Sequence, residues 1–224
     1  HSEHRAELSV GSVTMELNGA SMNSNGKPSH GIYAGGMASG NASITVGTNV
    51  QTFAVVEADE AVYLSVVSGS YTSIYGGGWA EKGASVIVKG VAIEVKGGDI
   101  ENLYGGGNND QSGARTYVDG DVLITISGGK VDNVCAGAKF VTSKVKGSST
   151  IQITGNATIG NLCGLSNNNY DGVLYDQTLD VDAALSCNSI SGFDKIDIAA
   201  GKDIDIASAF DLGGVELNIA EQTA

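Results

Sequence analysis

One short pattern recurs down this chain and restricts what it can fold into. Tyr33 sits in Ile-Tyr-Ala-Gly-Gly, Tyr75 in Ile-Tyr-Gly-Gly-Gly and Tyr104 in Leu-Tyr-Gly-Gly-Gly. Cys135 follows in Val-Cys-Ala-Gly-Ala, Cys163 in Leu-Cys-Gly-Leu-Ser, and a degenerate sixth copy falls at Phe193-Asp194. With Asp194 as the last anchor, the intervals are 42, 29, 31, 28 and 31 residues. A self-similar period of roughly 20–50 residues marks a chain built from stacked repeat units.

The match extends upstream of the anchor. Eleven residues before it (twelve for Cys163) stand Leu64, Ile93, Ile124, Ile151 and Ala183, and two residues later Val66, Val95, Ile126, Ile153 and Leu185. Ser65, Glu94, Thr125, Gln152 and Ala184 lie between them. This alternation is the signature of a strand with one face buried. A Gly-containing turn follows, then a second strand that leads into the glycines, marked by Tyr71, Ile100, Val131, Ile159 and Ile190 four residues before the anchor. Ser85-Val86-Ile87-Val88 and Thr116-Tyr117-Val118 read as a third strand after the post-glycine loop. Three short strands per repeat make one coil of a three-sided, all-β parallel solenoid with coils of about 28–31 residues. One coil cannot bury its own apolar face, so coils must stack, at the strand spacing of about 4.8 Å. A β-sandwich shares the turn density but does not repeat residue for residue.

A polar row accompanies the apolar columns. Ser73, Asn102, Asn133 and Asn161 lie two residues before successive anchors and read as a structural ladder at a corner, amide bonded to amide between coils. The whole chain, 1–224, reads as one domain, with 1–31 an N-terminal cap or atypical coil, 32–201 the repeat coils and 202–224 a C-terminal atypical coil or cap. Terminal repeats depart from the pattern because they must cover the open core and blunt strand edges.

Composition narrows the function classes. Gly is 33 of 224 residues and Pro is 1, without a collagen period. The formal charge of −13 repels nucleic acid and anionic lipid. No apolar run reaches the roughly 20 residues of a membrane helix, so direct membrane insertion is not expected. Cys135, Cys163 and Cys187 lack the spacing of a zinc site or a disulfide framework. The first two share one repeat position in adjacent coils and read as stacked thiols, a geometry in which a disulfide is possible but constrained. His1, His4 and His30 all precede the main repeat, so no base is expected near the thiols.

The aromatic-Gly-Gly-Gly coil closure resembles the right-handed parallel β-helix segments of large bacterial surface proteins, including adhesin-like proteins of gut bacteria. The resemblance covers about residues 60–200. It implies right-handed winding, an extracellular or cell-surface setting and membership of a longer surface protein. It supplies no catalytic residues.

Catalytic and metal chemistry find little support among the residues. A hydrolase needs paired carboxylates beside the cleaved bond; the candidates are Asp119 with Asp121 and Asp180 with Asp182. Both pairs read as turn or outward surface acids, and a polysaccharide lyase lacks a suitable base among two arginines, Arg5 and Arg115. Gly105-Gly106-Gly107-Asn108-Asn109-Asp110 has a superficial likeness to calcium nonapeptides, but the nonapeptide does not recur. Asn41-Ala42-Ser43 and Asn156-Ala157-Thr158 match the N-glycosylation pattern by chance. No cofactor or metal is expected. The post-glycine segments vary most and carry Trp79, Tyr117, Phe140 and Tyr170 among Asn, Asp and Gly; exposed aromatics of this kind suit stacking on sugars. The expectation is a non-enzymatic, adhesin-like surface module that binds a glycan or host surface protein through these loops. A purely structural stalk is the alternative.

Overall fold

The computed structural model describes residues 6–22, 31–39, 42–48, 62–81, 83–109, 113–139, 143–164, 175–211 and 213–221. All regular structure among them is strand, and every pairing is parallel. Three long sheets result, the arrangement of a β-solenoid or β-helix. The first contains Glu7–Val10, Ser43–Val46, Ser85–Val88, Arg115–Val118 and Ser143–Val145 in that order. The second runs from Val13–Leu17 through Val62–Val66, Val91–Val95, Val122–Ile126, Ser149–Ile153, Gln177–Val181 and Lys195–Ile198 to Glu216–Ile219. The third runs from Ala20–Met22 through Gly69–Tyr75, Asp99–Tyr104, Lys130–Cys135, Thr158–Cys163 and Leu185–Ser191 to Ile204–Phe210.

Alternation and stacking together build the core. In the second sheet Met15, Leu64, Ile93, Ile124, Ile151, Leu179, Ile196 and Leu217 occupy one register column. Leu64, Ile124 and Ile151 are fully buried, and Ile93 nearly so. The intervening Glu94, Thr125, Gln152 and Asp180 are only partly covered. The core is thus a set of continuous apolar columns shared among coils.

Strands of the third sheet break the alternation once each. Ile100 and Leu103 are both buried, as are Val131 and Val134, and Ile159 and Leu162. Two consecutive residues between each pair face outward, so the strand bends there. The ladder residues occupy the second of these positions: Ser73, Asn102, Asn133 and Asn161 are register partners, continued by Ser189.

The glycines divide into two jobs. Gly98 and Gly129, with φ of 88° and 81°, make the left-handed turn that enters a third-sheet strand. Gly105, after Tyr104, is needed for space instead: a Cβ there would lie 2.3 Å from both the Ala136 carbonyl oxygen and Val122 Cγ1.

The sixth repeat copy is corrected by the structure. Ile151 and Ile153 pair with Leu179 and Val181, not with Ala183 and Leu185, and Cys163 pairs with Ser191, not Asp194. Ile190 stands opposite Leu162, while Cys187 takes the inward place after Ile159. Both misreadings keep an apolar residue inward. A four-residue slip preserves the strand face, and the bend makes positions three apart equally inward.

The C-terminal coils are also narrower. The step between second-sheet partners is 28 residues from Ile151 to Leu179, then 17 to Ile196 and 21 to Leu217. Only residues 192–194 separate the third-sheet strand Leu185–Ser191 from the next second-sheet strand, too few for a first-sheet strand. Among the described residues, the first sheet ends at Ser143–Val145.

Candidate functional site

The anchor row runs Tyr33, Tyr75, Tyr104, Cys135, Cys163, Ser191 down the third sheet. Strand spacing brings the rings into register. Tyr33 and Tyr75 stack at 4.8 Å between centroids, and Tyr75 and Tyr104 at 5.1 Å, with interplanar angles of 10° and 7°. Such offset stacks stabilise beyond the area they bury, by about 0.5–1.5 kcal/mol per pair. Tyr33 and Tyr75 are buried and Tyr104 is half-buried. The smaller Cys135 and Cys163 continue the row, and the space they leave beside Tyr104 opens a groove of about 520 Å3.

Tyr104, the two thiols, Lys139 and the amides of Asn102, Asn133 and Asn161 line this groove. Its floor is rigid. Asn133 Nδ2 donates to Asn102 Oδ1 at 3.2 Å and to the Glu101 carbonyl at 3.2 Å, and Asn161 Nδ2 donates to Asn133 Oδ1 at 2.8 Å. Ser189 Oγ closes the row on Asn161 Oδ1 at 2.8 Å. Lys139 Nζ donates to the Tyr75 hydroxyl at 3.4 Å, placing a cation at the groove's margin. Burial, then the neighbouring Tyr75, Cys135 and Cys163, push the Tyr104 phenol up to about 12, so it remains a neutral hydrogen-bond donor at physiological pH. Beyond the amide row, on the same sheet face, lies a smaller depression of about 420 Å3, lined in part by Asp99, Glu101, Lys130 and Asp132. Lys130 pairs with Asp132 at 2.9 Å and Asp99 at 3.5 Å. The face therefore carries an aromatic edge, a row of amides and a charged margin, in that order.

The aromatics expected to bind are not brought together. Trp79 is buried, 7% exposed, and packs 6.4 Å from Tyr33 on the tyrosine stack; its reading as an exposed contact is corrected. The strand Trp79–Ala80 pairs with Met37–Ala38 and bridges to Asn108, which carries the indole into the coil wall. Tyr117 is half-buried on the first sheet, with Lys146 Nζ 4.4 Å from its ring centroid. Phe140 and Tyr170 lie outside the described residues, as do His1, His4, His30, Asn41 and Asp110. Within the nonapeptide-like segment, Asn108 and Asn109 are buried and Asn108 Nδ2 donates to the Tyr33 hydroxyl at 3.2 Å. Among the described residues, no group of three or more His, Cys, Asp or Glu side chains could hold a metal ion.

The two carboxylate pairs have different surroundings. Asp119 lies between Lys89 and Lys146 of the flanking coils, at 2.7 and 2.9 Å. Burial pushes Asp119 up, but the bonds and charges of the two lysines outweigh it and hold the carboxyl below its ordinary range. Asp121 Oδ1 accepts from the Ser148 amide of the next coil at 2.7 Å. Asp180 and Asp182 border a second groove, where Asp180 stands opposite Asp197 in register. Burial, then Asp182, raises the Asp180 carboxyl, whereas Lys195 and Asn218 bond Asp197 and lower it against its own burial. Among the described residues, that groove is lined by no aromatic side chain.

Tyr104 and Lys139 do not stand out as surface residues in the sequence. The signal it does hold is the change from Tyr to Cys along the anchor row, which removes the partner from one side of a ring. Comparison with protein-family models, with curated proteins and with solved structures finds no match to this chain.

Proposed function

We propose that the chain is a non-enzymatic binding module of a bacterial surface protein, wound as a right-handed β-helix with main coils of about 28–31 residues. The hand is the one taken by about 98% of parallel crossover connections. We assign the binding surface to the outward face of the third sheet rather than to the post-glycine loops. The observation that carries this reading is the groove in which half-buried Tyr104 flanks the amide row, with Lys139 at its margin. An aromatic edge beside fixed amides suits a sugar ring, whose C–H face packs on the aromatic while its hydroxyls exchange hydrogen bonds with amides. Bacterial-surface and extracellular placement rest on the repeat resemblance.

The test is a glycan array followed by calorimetry on the best neutral oligosaccharide, with Tyr104→Ala and Asn133→Ala compared. Loss of binding at least tenfold in Tyr104→Ala, with an unchanged circular dichroism spectrum, supports the reading. A blank array, or binding indifferent to both substitutions, overturns it and leaves the stalk. The stalk reading draws on a separate observation: the amide row is already bonded along its length.

A further inference from the structure

Cys135 and Cys163 are direct register partners in adjacent parallel strands of the third sheet. Neighbouring strands lie about 4.8 Å apart, inside the Cα separation of about 4.4–6.8 Å that a disulfide spans. Both side chains leave the strand on the same side, and their sulfur atoms are in contact, 2.7 Å apart. Both line the groove beside Tyr104, which gives a small reagent a route to them, and Cys163 is the more exposed of the two. Lys139 lines the same groove, and a nearby cation favours the thiolate form. Cys187 is placed differently. It is buried, points into the core after Ile159, and burial followed by Asp205 pushes its thiol up.

We propose that Cys135 and Cys163 form an oxidation site that cross-links successive coils when the protein meets a disulfide oxidant. The Cys163 thiolate attacks one sulfur of the oxidant, forming a mixed disulfide and expelling one thiolate. The Cys135 thiolate then attacks Cys163 Sγ, forming the inter-coil bond and expelling the second thiolate. Two thiols of the protein are oxidised, the oxidant's disulfide is reduced to two thiols, and the two protons released by the cysteines pass to solvent or to those products. The requirement for an oxidant places the reaction in an oxidising compartment or after export. It does not depend on the ligand-binding reading, because only the strand register brings the two sulfurs together.

The experiment uses the full chain, reduced, desalted and treated with oxidised glutathione, once folded and once in urea. Thiols are then counted under denaturing conditions and peptides mapped by mass spectrometry without reduction. In the folded protein, the three cysteine thiols are expected to fall to one, with a single cross-linked species joining the Cys135 and Cys163 peptides and unmodified Cys187. In urea the same species should form at least roughly tenfold more slowly, since proximity is lost. Three remaining thiols, glutathione adducts in place of the cross-link, or a cross-link through Cys187 would each overturn the proposal. Equal rates in both conditions would show that the fold does not create the site. No variant is required, so a failure to fold cannot obscure the result.

Discussion

Gly105→Ala probes the stacking directly. The added methyl would start 2.3 Å from the Ala136 carbonyl oxygen of the next coil and 2.3 Å from Val122 Cγ1. Nonbonded heavy atoms settle at about 3.5 Å, so one partner must retreat by about 1 Å. Val122 is 1% exposed in a column of packed side chains and has no free space to enter. The carbonyl belongs to a strand exit tied on both sides, since Gly105 N donates to the Cys135 carbonyl at 2.9 Å and Ala136 N to the Cys163 carbonyl at 3.0 Å. A shift of about 1 Å would break one such bond, worth about 0.5–1.5 kcal/mol. With the strain of overpacking, the expected loss is about 1–3 kcal/mol. Trp79, the only tryptophan, is buried on the tyrosine stack close to this corner and reports its integrity by fluorescence. Urea titration should show an earlier midpoint than wild type, with a thermal midpoint lower by about 2–12 °C for a chain of this size. Gly11→Ala is the control, because no atom lies within 4 Å of its Cβ position. Gly105→Ala indistinguishable from Gly11→Ala would refute the argument that the glycines serve close coil approach. Adding Val122→Ala should not restore stability, since the carbonyl clash remains.

Two further outcomes are expected elsewhere in the molecule. Asn133→Ala removes two donated bonds and one accepted bond from the ladder; because the site is exposed, a loss of about 1–2 kcal/mol is expected in denaturant titration, and no change would mean that water replaces the ladder. Asp119 is held below its ordinary pKa by Lys89 and Lys146, so the unfolded chain takes up its proton first on acidification. Its contribution is complete above the unfolded value of about 3.9 and is lost as pH falls through the folded value. Asp119→Asn should therefore lower stability at pH 7 and flatten its decline below about pH 4; an unchanged acid limb would show that other carboxylates govern it.

The charge row of Lys89, Asp119 and Lys146 illustrates how a sequence of this kind hides its contacts. The residues are separated by 30 and 27 positions, and in the sequence Asp119 reads as a turn or surface acid. Stacking places two cations from flanking coils on one carboxylate, so a candidate acid becomes a fixed anion. Trp79 shows the opposite change: an aromatic in a variable loop becomes a wall residue because its short strand pairs with Met37–Ala38.

The coil itself was determined by the sequence alone. The recurring alternation placed Ile93, Ile124 and Ile151 in one buried column, and the constant offset from the anchor placed the ladder residues in one row. These are repeated local patterns, and stacking at one strand spacing turns them into contacts without further information. Tertiary structure alone decided the last copy's register, the loss of the first sheet at the C-terminal end and the groove beside Tyr104. An alternating strand is unchanged by an even slip, and a bent strand hides a slip of three, so hydrophobic pattern cannot choose between registers that a backbone ladder distinguishes. The groove exists because the residue stacked on Tyr104 in the next coil is Cys135, a neighbour 31 positions away that only the strand register identifies.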